Sequence, residues 1–203
     1  MEGPYDEGYR KCDCFWGREP GSLIGRLLDE EKNVENWQVL DVGCGEGKNA
    51  HALAMRGCHV IAVDASRLAL ESARKAWSTD GIDWRREDVR DSVWPDSYFD
   101  LIVAYGVLHC LRNAGEIANT VAALKRACRP AGYHLLCAFN DRQQDLSAHP
   151  GFSPCLLSHQ SYIFLYRDWT ILYCSDEDLR EVHPHNGIPH SHSLTRLIAR
   201  RSS

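Results

Sequence analysis

The stretch "VLDVGCGEGKNA", Val39 to Ala50, runs an apolar strand into three closely spaced glycines and then into a helix-forming segment. A glycine-rich turn at a strand-to-helix junction lets bare main chain approach a nucleotide-type ligand closely. Outward from this turn, strands and helices alternate. "WQVLDVG" leads into a helix over Asn49 to Arg56 that Gly57 closes. "HVIAVDA" follows, and Ser66 is placed to cap a helix running to Trp77. "IDWRRED" reads as a third strand, and "FDLIVAYGVL" as a fourth, apolar almost throughout as a central parallel strand must be. A helix over Asn113 to Arg129 ends at Pro130, and "GYHLLCAFN" is the fifth strand. This rhythm specifies an α/β doubly wound sheet.

The ends of the chain break the rhythm. Residues 1–20 are dense in Tyr, Phe and Trp without aliphatic periodicity, and Gly21 to Glu31 reads as a short amphipathic helix. In the last third, Ser158 to Tyr166 reads as a helix, and "DWTILYC" and "SLTRLIARR" as strands. The short connection between those strands carries Pro184, Gly187 and Pro189, which leaves no room for a helical crossover and favours an antiparallel hairpin.

Composition narrows the function classes. A chain of 203 residues fits a single domain, and 44% hydrophobic with 25% charged residues is ordinary for a globular one. A net charge of −5 argues against a nucleic-acid partner, which would need clustered Lys and Arg. The longest apolar run, Leu101 to Leu108, is far short of a membrane span. The acidic N-terminal residues lack a secretory layout, so a cytoplasmic protein with reduced cysteines is expected. Cys12 and Cys14 have no second pair at zinc-ligand spacing.

Three ligands compete for the glycine turn. A phosphate-binding loop for nucleoside triphosphates needs Ser or Thr after Gly47-Lys48, where this chain has Asn49. A nicotinamide fingerprint needs G-x-G-x-x-G, and here the third glycine is displaced. Asp41-Val42-Gly43-Cys44-Gly45-Glu46-Gly47 instead resembles the first motif of the class I S-adenosyl-L-methionine (SAM)-dependent methyltransferases. The resemblance continues through Asp64 at the end of the second strand, Glu87-Asp88-Val89 after the third, "FDLIVAYGVLHCL" at the fourth and the terminal hairpin. It covers roughly residues 37–201. It implies a Rossmann-like seven-stranded sheet, mostly parallel, with an antiparallel last strand inserted between strands five and six. It also implies SAM as cofactor.

Under that resemblance, Asp41, Gly43, Cys44 and Gly45 admit the methionine part of SAM. Asp64, with Ala65 beside it, takes the ribose hydroxyls through its carboxylate. Asp88 and Val89 meet the adenine, and Tyr105 floors the pocket. "FWGREP" resembles the start of small bacterial methyltransferases of the tellurite-resistance type, which implies that Arg18 meets the SAM carboxylate.

Methyl transfer needs alignment of the acceptor and, for some acceptors, a general base. The acceptor is expected to be a small molecule, met by loops over the strand ends. Tyr5, Tyr9 and Trp16 are read as a lid with substrate contact, and Asn140 as a loop residue facing the acceptor. His183, His185, His190 and His192 share the connection before the last strand, where a solvated loop, a metal site and a substrate contact compete. His185 is assigned to substrate contact and His190 or His192 to a base, with His109 as wall or base. No metal is expected, since transfer to an activated heteroatom needs no Lewis acid. A metalloid oxyanion or thiol acceptor, and a non-catalytic SAM-binding module, stand as alternatives.

Overall fold

Seven strands form one sheet in the order β3-β2-β1-β4-β5-β7-β6. They are β1 (Gln38–Val42), β2 (His59–Asp64), β3 (Ile82–Arg86), β4 (Phe99–Tyr105), β5 (Cys128–Gln144), β6 (Thr170–Val182) and β7 (Pro189–Arg200). The computed structural model describes residues 5–77, 80–183 and 186–203. Strands β1 to β5 pair in parallel, whereas β7 is antiparallel to both β5 and β6. The terminal hairpin and the inserted last strand therefore stand as the sequence implied.

The apolar content of each strand matches its place. β4 lies between β1 and β5, and Leu101, Ile102, Val103 and Ala104 are fully buried, because helices cover both faces there. One face packs with α2 (Ser22–Glu30), α3 (Lys48–Ala54) and α4 (Arg67–Ala76), through Leu23, Ile24, Leu27, Leu53 and Leu70. The other packs with α5 (Ala114–Ala127) and α6 (His159–Phe164), through Ile117, Val121, Leu124 and Tyr162. Three helix starts carry side-chain caps: Ser66 Oγ, expected from the sequence, accepts from Ala69 N–H at 3.1 Å, Asn113 Oδ1 from Glu116 N–H at 2.9 Å, and Ser158 Oγ from Ser161 N–H at 3.1 Å.

Four elements differ from the sequence reading. A short helix, α1 (Asp6–Lys11), forms in the aromatic N-terminal segment and packs on α4. It forms without aliphatic periodicity because its burial rests on Gly8, against the Phe15 ring, and on Asp6, which accepts a hydrogen bond from Ser66 Oγ. β5 continues to Gln144, and β6 and β7 are longer than their apolar cores suggest. As a result, His190 and His192 belong to β7 rather than to a loop. Pairing of Glu181 with His190 and of Leu179 with His192 carries the ladder through this polar sequence. His185 lies outside the described residues.

The centre of β1 holds a carboxylic acid among apolar neighbours. Asp41 is 1% exposed, and its Oδ2 has no hydrogen-bond partner among the described residues. Burial first, and then the charge of Asp64, lift its pKa to about 8, against one backbone hydrogen bond from Ala50. The folded chain therefore keeps a proton that the unfolded chain releases near pH 3.9. Folding takes up that proton between the two values, so stability from this group falls as pH rises from about 4 to about 8, by up to roughly 1.4 kcal/mol per pH unit. Asp41→Asn removes this titration. Thermal unfolding across that range should show a flatter decline than in the wild type, and an unchanged decline would refute the assignment.

Candidate functional site

The glycine turn sits where β1 hands the chain to α3, at the C-terminal edge of the parallel strands. Gly43, Gly45 and Gly47 all have left-handed backbone, with φ of 64°, 55° and 79°. At Gly43 a Cβ would also fall 2.4 Å from Val107, so conformation and space both exclude a side chain. Cys44 lies buried between them and donates its N–H to Val63 at 3.0 Å, which fixes the turn against β2.

Asp64, the last residue of β2, clamps this turn. Its Oδ2 accepts from Gly45 N–H and its Oδ1 from Ser66 N–H, both at 2.8 Å. Burial raises its pKa and the two N–H donors oppose that rise, while Asp6 and Asp88 add to it. Each oxygen retains lone-pair capacity for one more donor, which is what two adjacent ribose hydroxyls require. Sequence reasoning assigned Asp64 to ribose but missed its partner Ser66, read as a helix cap alone; the backbone N–H carries no sequence signal.

The other expected cofactor residues divide. Asp88 and Val89 follow β3 on the same edge, but Asp88 is already engaged: Arg90 donates to it through its backbone N–H at 3.0 Å and through its guanidinium at 2.5 Å. This pair holds the Asp88 carboxyl below its ordinary range. Ala65 is exposed and its carbonyl accepts from Arg86 at 3.3 Å. Tyr105 ends β4 with its ring packed on Gly21, where a Cβ would fall 2.4 Å away. Arg18 is exposed and lies over the Trp77 ring at 5.2 Å. That stacking engages its guanidinium on an indole rather than on a group of the glycine turn.

The N-terminal segment covers the turn. A Cβ at Gly45 would lie 3.2 Å from Tyr9 Oη and 3.7 Å from the Trp16 indole. Trp16 Nε1 donates to Tyr9 Oη at 3.0 Å, and burial pushes the Tyr9 hydroxyl well above its usual pKa. Residues of the turn and of the first turn of α3 hold the segment down: Glu46 accepts from Trp16 N–H at 3.3 Å, Lys48 donates to the Trp16 carbonyl at 2.7 Å, and Asn49 accepts from Gly21 N–H at 2.8 Å. Nothing in the spacing of Glu46, Lys48 and Asn49 announced that task. Tyr5 crosses to the acceptor side, with its hydroxyl 3.3 Å from His109 Nε2 and its ring 5.4 Å from Phe152.

Asn140, expected to meet substrate, and His109, expected as wall or base, are both built into the scaffold. Asn140 is fully buried; its amide donates to Asp176 at 2.8 Å and accepts from Arg142 N–H at 3.1 Å, bracing the end of β5. His109 is 1% exposed, stacks on Phe139 at 4.0 Å and accepts from Phe139 N–H at 3.1 Å through Nδ1. Burial pushes its pKa down to about 3, which suits a wall and not a base working at neutral pH. His183, His190 and His192 are buried as well, which excludes a solvated loop for these three. Burial and the neighbouring His190 and His149 push His192 down to about 4.

Residues 39–132 match the model of a family described as "Methyltransferase domain". A demethylmenaquinone methyltransferase of Tropheryma whipplei (strain Twist) is 31% identical over 129 residues, 63% of this chain and 49% of that protein. A protein named hemagglutinin 1, of Eikenella corrodens, is 31% identical over 165 residues, 80% of this chain and 54% of that one. The chain thus spans about half the length of these curated relatives. Among solved structures, the Burkholderia thailandensis 1,6-didemethyltoxoflavin-N1-methyltransferase, with its substrate and S-adenosylhomocysteine bound, superposes with a TM-score of 0.68. Its identity is 19%, over 98% of this chain and 86% of that one, so the likeness shows the fold. These matches do not single out the tellurite-resistance type. Sheet order and family match agree: residues 39–132 match a methyltransferase domain, and they lie in a seven-stranded sheet of the fold that the solved methyltransferase structures share.

Proposed function

We propose that the protein binds SAM at the C-terminal edge of β1 to β4 and transfers its methyl group to a small-molecule acceptor. The observation that carries this reading is the Asp64 carboxylate, fixed on both oxygens by Gly45 and Ser66 and facing the bare glycine turn. When bound, SAM supplies an activated methyl that passes by in-line displacement: the acceptor heteroatom bonds to carbon as the carbon–sulfur bond breaks, leaving S-adenosylhomocysteine. The chain's contribution is alignment and exclusion of water. Positioning of this kind supplies on the order of 7 kcal/mol or more of a barrier.

A small acceptor suits an edge roofed by aromatic side chains, Tyr5, Tyr9 and Trp16, and a net charge of −5. The toxoflavin precursor and demethylmenaquinone named for the similar proteins are acceptors of that class. No general base is proposed from His109 or His192, because burial leaves both weakly basic. An acceptor that ionises by itself, or whose proton leaves to solvent, fits this site.

Two measurements test the reading. Asp64→Ala should weaken S-adenosylhomocysteine binding by roughly 1–3 kcal/mol in calorimetry, the scale of hydrogen bonds to a charged group. Tight NADH binding with none of S-adenosylhomocysteine would overturn the cofactor. Deleting residues 1–16 removes the roof while leaving the sheet. S-adenosylhomocysteine should then dissociate about tenfold faster or more, with little change in far-ultraviolet circular dichroism. An unaltered dissociation rate would remove the lid from the account.

A further inference from the structure

Beside the proposed cofactor edge, three chain segments bring imidazoles and a carboxylate to one point. His149 comes from the segment after β5, Glu181 from the end of β6, and His190 and His192 from the start of β7. One ligand atom from each lies within 4.8 Å of all the others. Glu181 Oε1 stands 3.5 Å from His190 Nε2 and 3.7 Å from His192 Nε2. His183 adjoins the group, with its Nε2 3.8 Å from Glu181 Oε1 and 3.2 Å from His149 Nε2. Tetrahedral zinc, with bonds of about 2.0–2.1 Å to nitrogen, holds its donors roughly 3.3–3.4 Å apart. The Glu181–His190 and Glu181–His192 separations are already near that figure, and the remaining ones fall within 4.8 Å.

The proton positions point the same way. His190 Nδ1 lies 2.8 Å from the Ile188 carbonyl, which can only accept, so Nδ1 carries the hydrogen. His192 Nδ1 lies 2.8 Å from Gln144 Oε1, and that amide is oriented by donating its nitrogen to the Asn140 and Ser193 carbonyls at 2.7 and 2.9 Å. In the neutral form of each ring this leaves the Nε2 lone pair on the Glu181 side. Both Nε2 atoms are buried without a hydrogen-bond partner among the described residues, and both side chains are 0% exposed. A buried unpaired acceptor costs stability. A cation supplies each Nε2 with a partner and offsets the Glu181 charge. Donation of the distal ring N–H to an oxygen is the arrangement that orients metal-bound histidines.

The surroundings favour a bound ion over a water-filled pocket. Phe15 lies 4.6 Å and Trp16 5.3 Å from the His183 ring, and Tyr5 lies 5.9 Å from His149, so the segment over the glycine turn also covers this cluster. We propose that His149, Glu181, His190 and His192, with His183 adjoining, bind one divalent first-row transition-metal ion. Three imidazoles and one carboxylate suit zinc, nickel or iron, and disfavour magnesium or calcium, which prefer oxygen ligands. Such an ion would join the β6–β7 hairpin to the segment after β5 and make a rigid wall beneath Phe15 and Trp16. Sequence spacing shows the His183/His185 and His190/His192 pairs, but not that His149 and Glu181 complete a set.

The site does not depend on the proposed methyl transfer, so metal and S-adenosylhomocysteine binding are measured side by side on the same untagged chain. After treatment with a chelator and dialysis, titration with zinc chloride should show one equivalent bound per chain. Cobalt(II) should give the visible ligand-field absorption of a nitrogen- and oxygen-ligated ion. His190→Gln with His192→Gln should lower zinc affinity about 100-fold or more, while the exposed His59→Gln leaves it unchanged. Because the double variant sits in the β7 ladder, Glu181→Gln serves as a second probe; its side chain is 23% exposed, and about a tenfold loss is expected. The absence of a stoichiometric zinc site in chain that is folded by circular dichroism would overturn the proposal. So would full affinity in Glu181→Gln, or a thiolate charge-transfer band with cobalt, which would assign binding to cysteines.

Discussion

One carboxylate at the end of β2 holds the cofactor edge in shape. By accepting from Gly45 on one oxygen and from Ser66 on the other, Asp64 ties the glycine turn after β1 to the start of α4. The turn can be held this way only because its residues adopt left-handed backbone, and Gly43 must lack a Cβ to pass Val107. Without the clamp, the turn keeps only the Cys44 N–H to Val63 hydrogen bond to β2 among the described residues. Asp41 inside β1 then carries part of the cost: it stays protonated because it is buried, and because a second negative charge near Asp64 is unfavourable.

The N-terminal segment is anchored to the same turn. Glu46, Lys48 and Asn49 contact the backbone of Trp16 and Gly21, while Asp6 meets Ser66, the residue that also serves Asp64. Cofactor edge and roof are thereby mechanically joined, and a ligand that reorganises one must be felt by the other. On the acceptor side the roof rests on Phe152, His149 and His183, so one aromatic layer spans both halves of the site.

Much of this was legible in the amino-acid order. The strands announce themselves through continuous apolar runs such as "FDLIVAY", and the cap Ser66 through residue type at its helix start. The glycines and Asp64 are recognisable because their spacing follows from the strand–turn–helix geometry. What escaped notice depends on long-range register. The ladder that pairs Glu181 with His190 runs through polar sequence, so His190 and His192 looked like loop residues until the strand length was known. Asn140 looked available to a ligand because it follows an apolar strand, yet Asp176 across the sheet claims its amide. α1 lacks an amphipathic pattern because it is held by a handful of specific contacts rather than by a stripe.

The most direct test of the account is a crystal structure of the chain with S-adenosylhomocysteine. The ribose hydroxyls should lie within hydrogen-bond distance of the two Asp64 oxygens, with the amino-acid portion against Gly43 and Gly45 and the sulfur directed under the Tyr9–Trp16 roof. A ligand bound elsewhere on the sheet, or a ribose that leaves Asp64 untouched, would contradict the central claim.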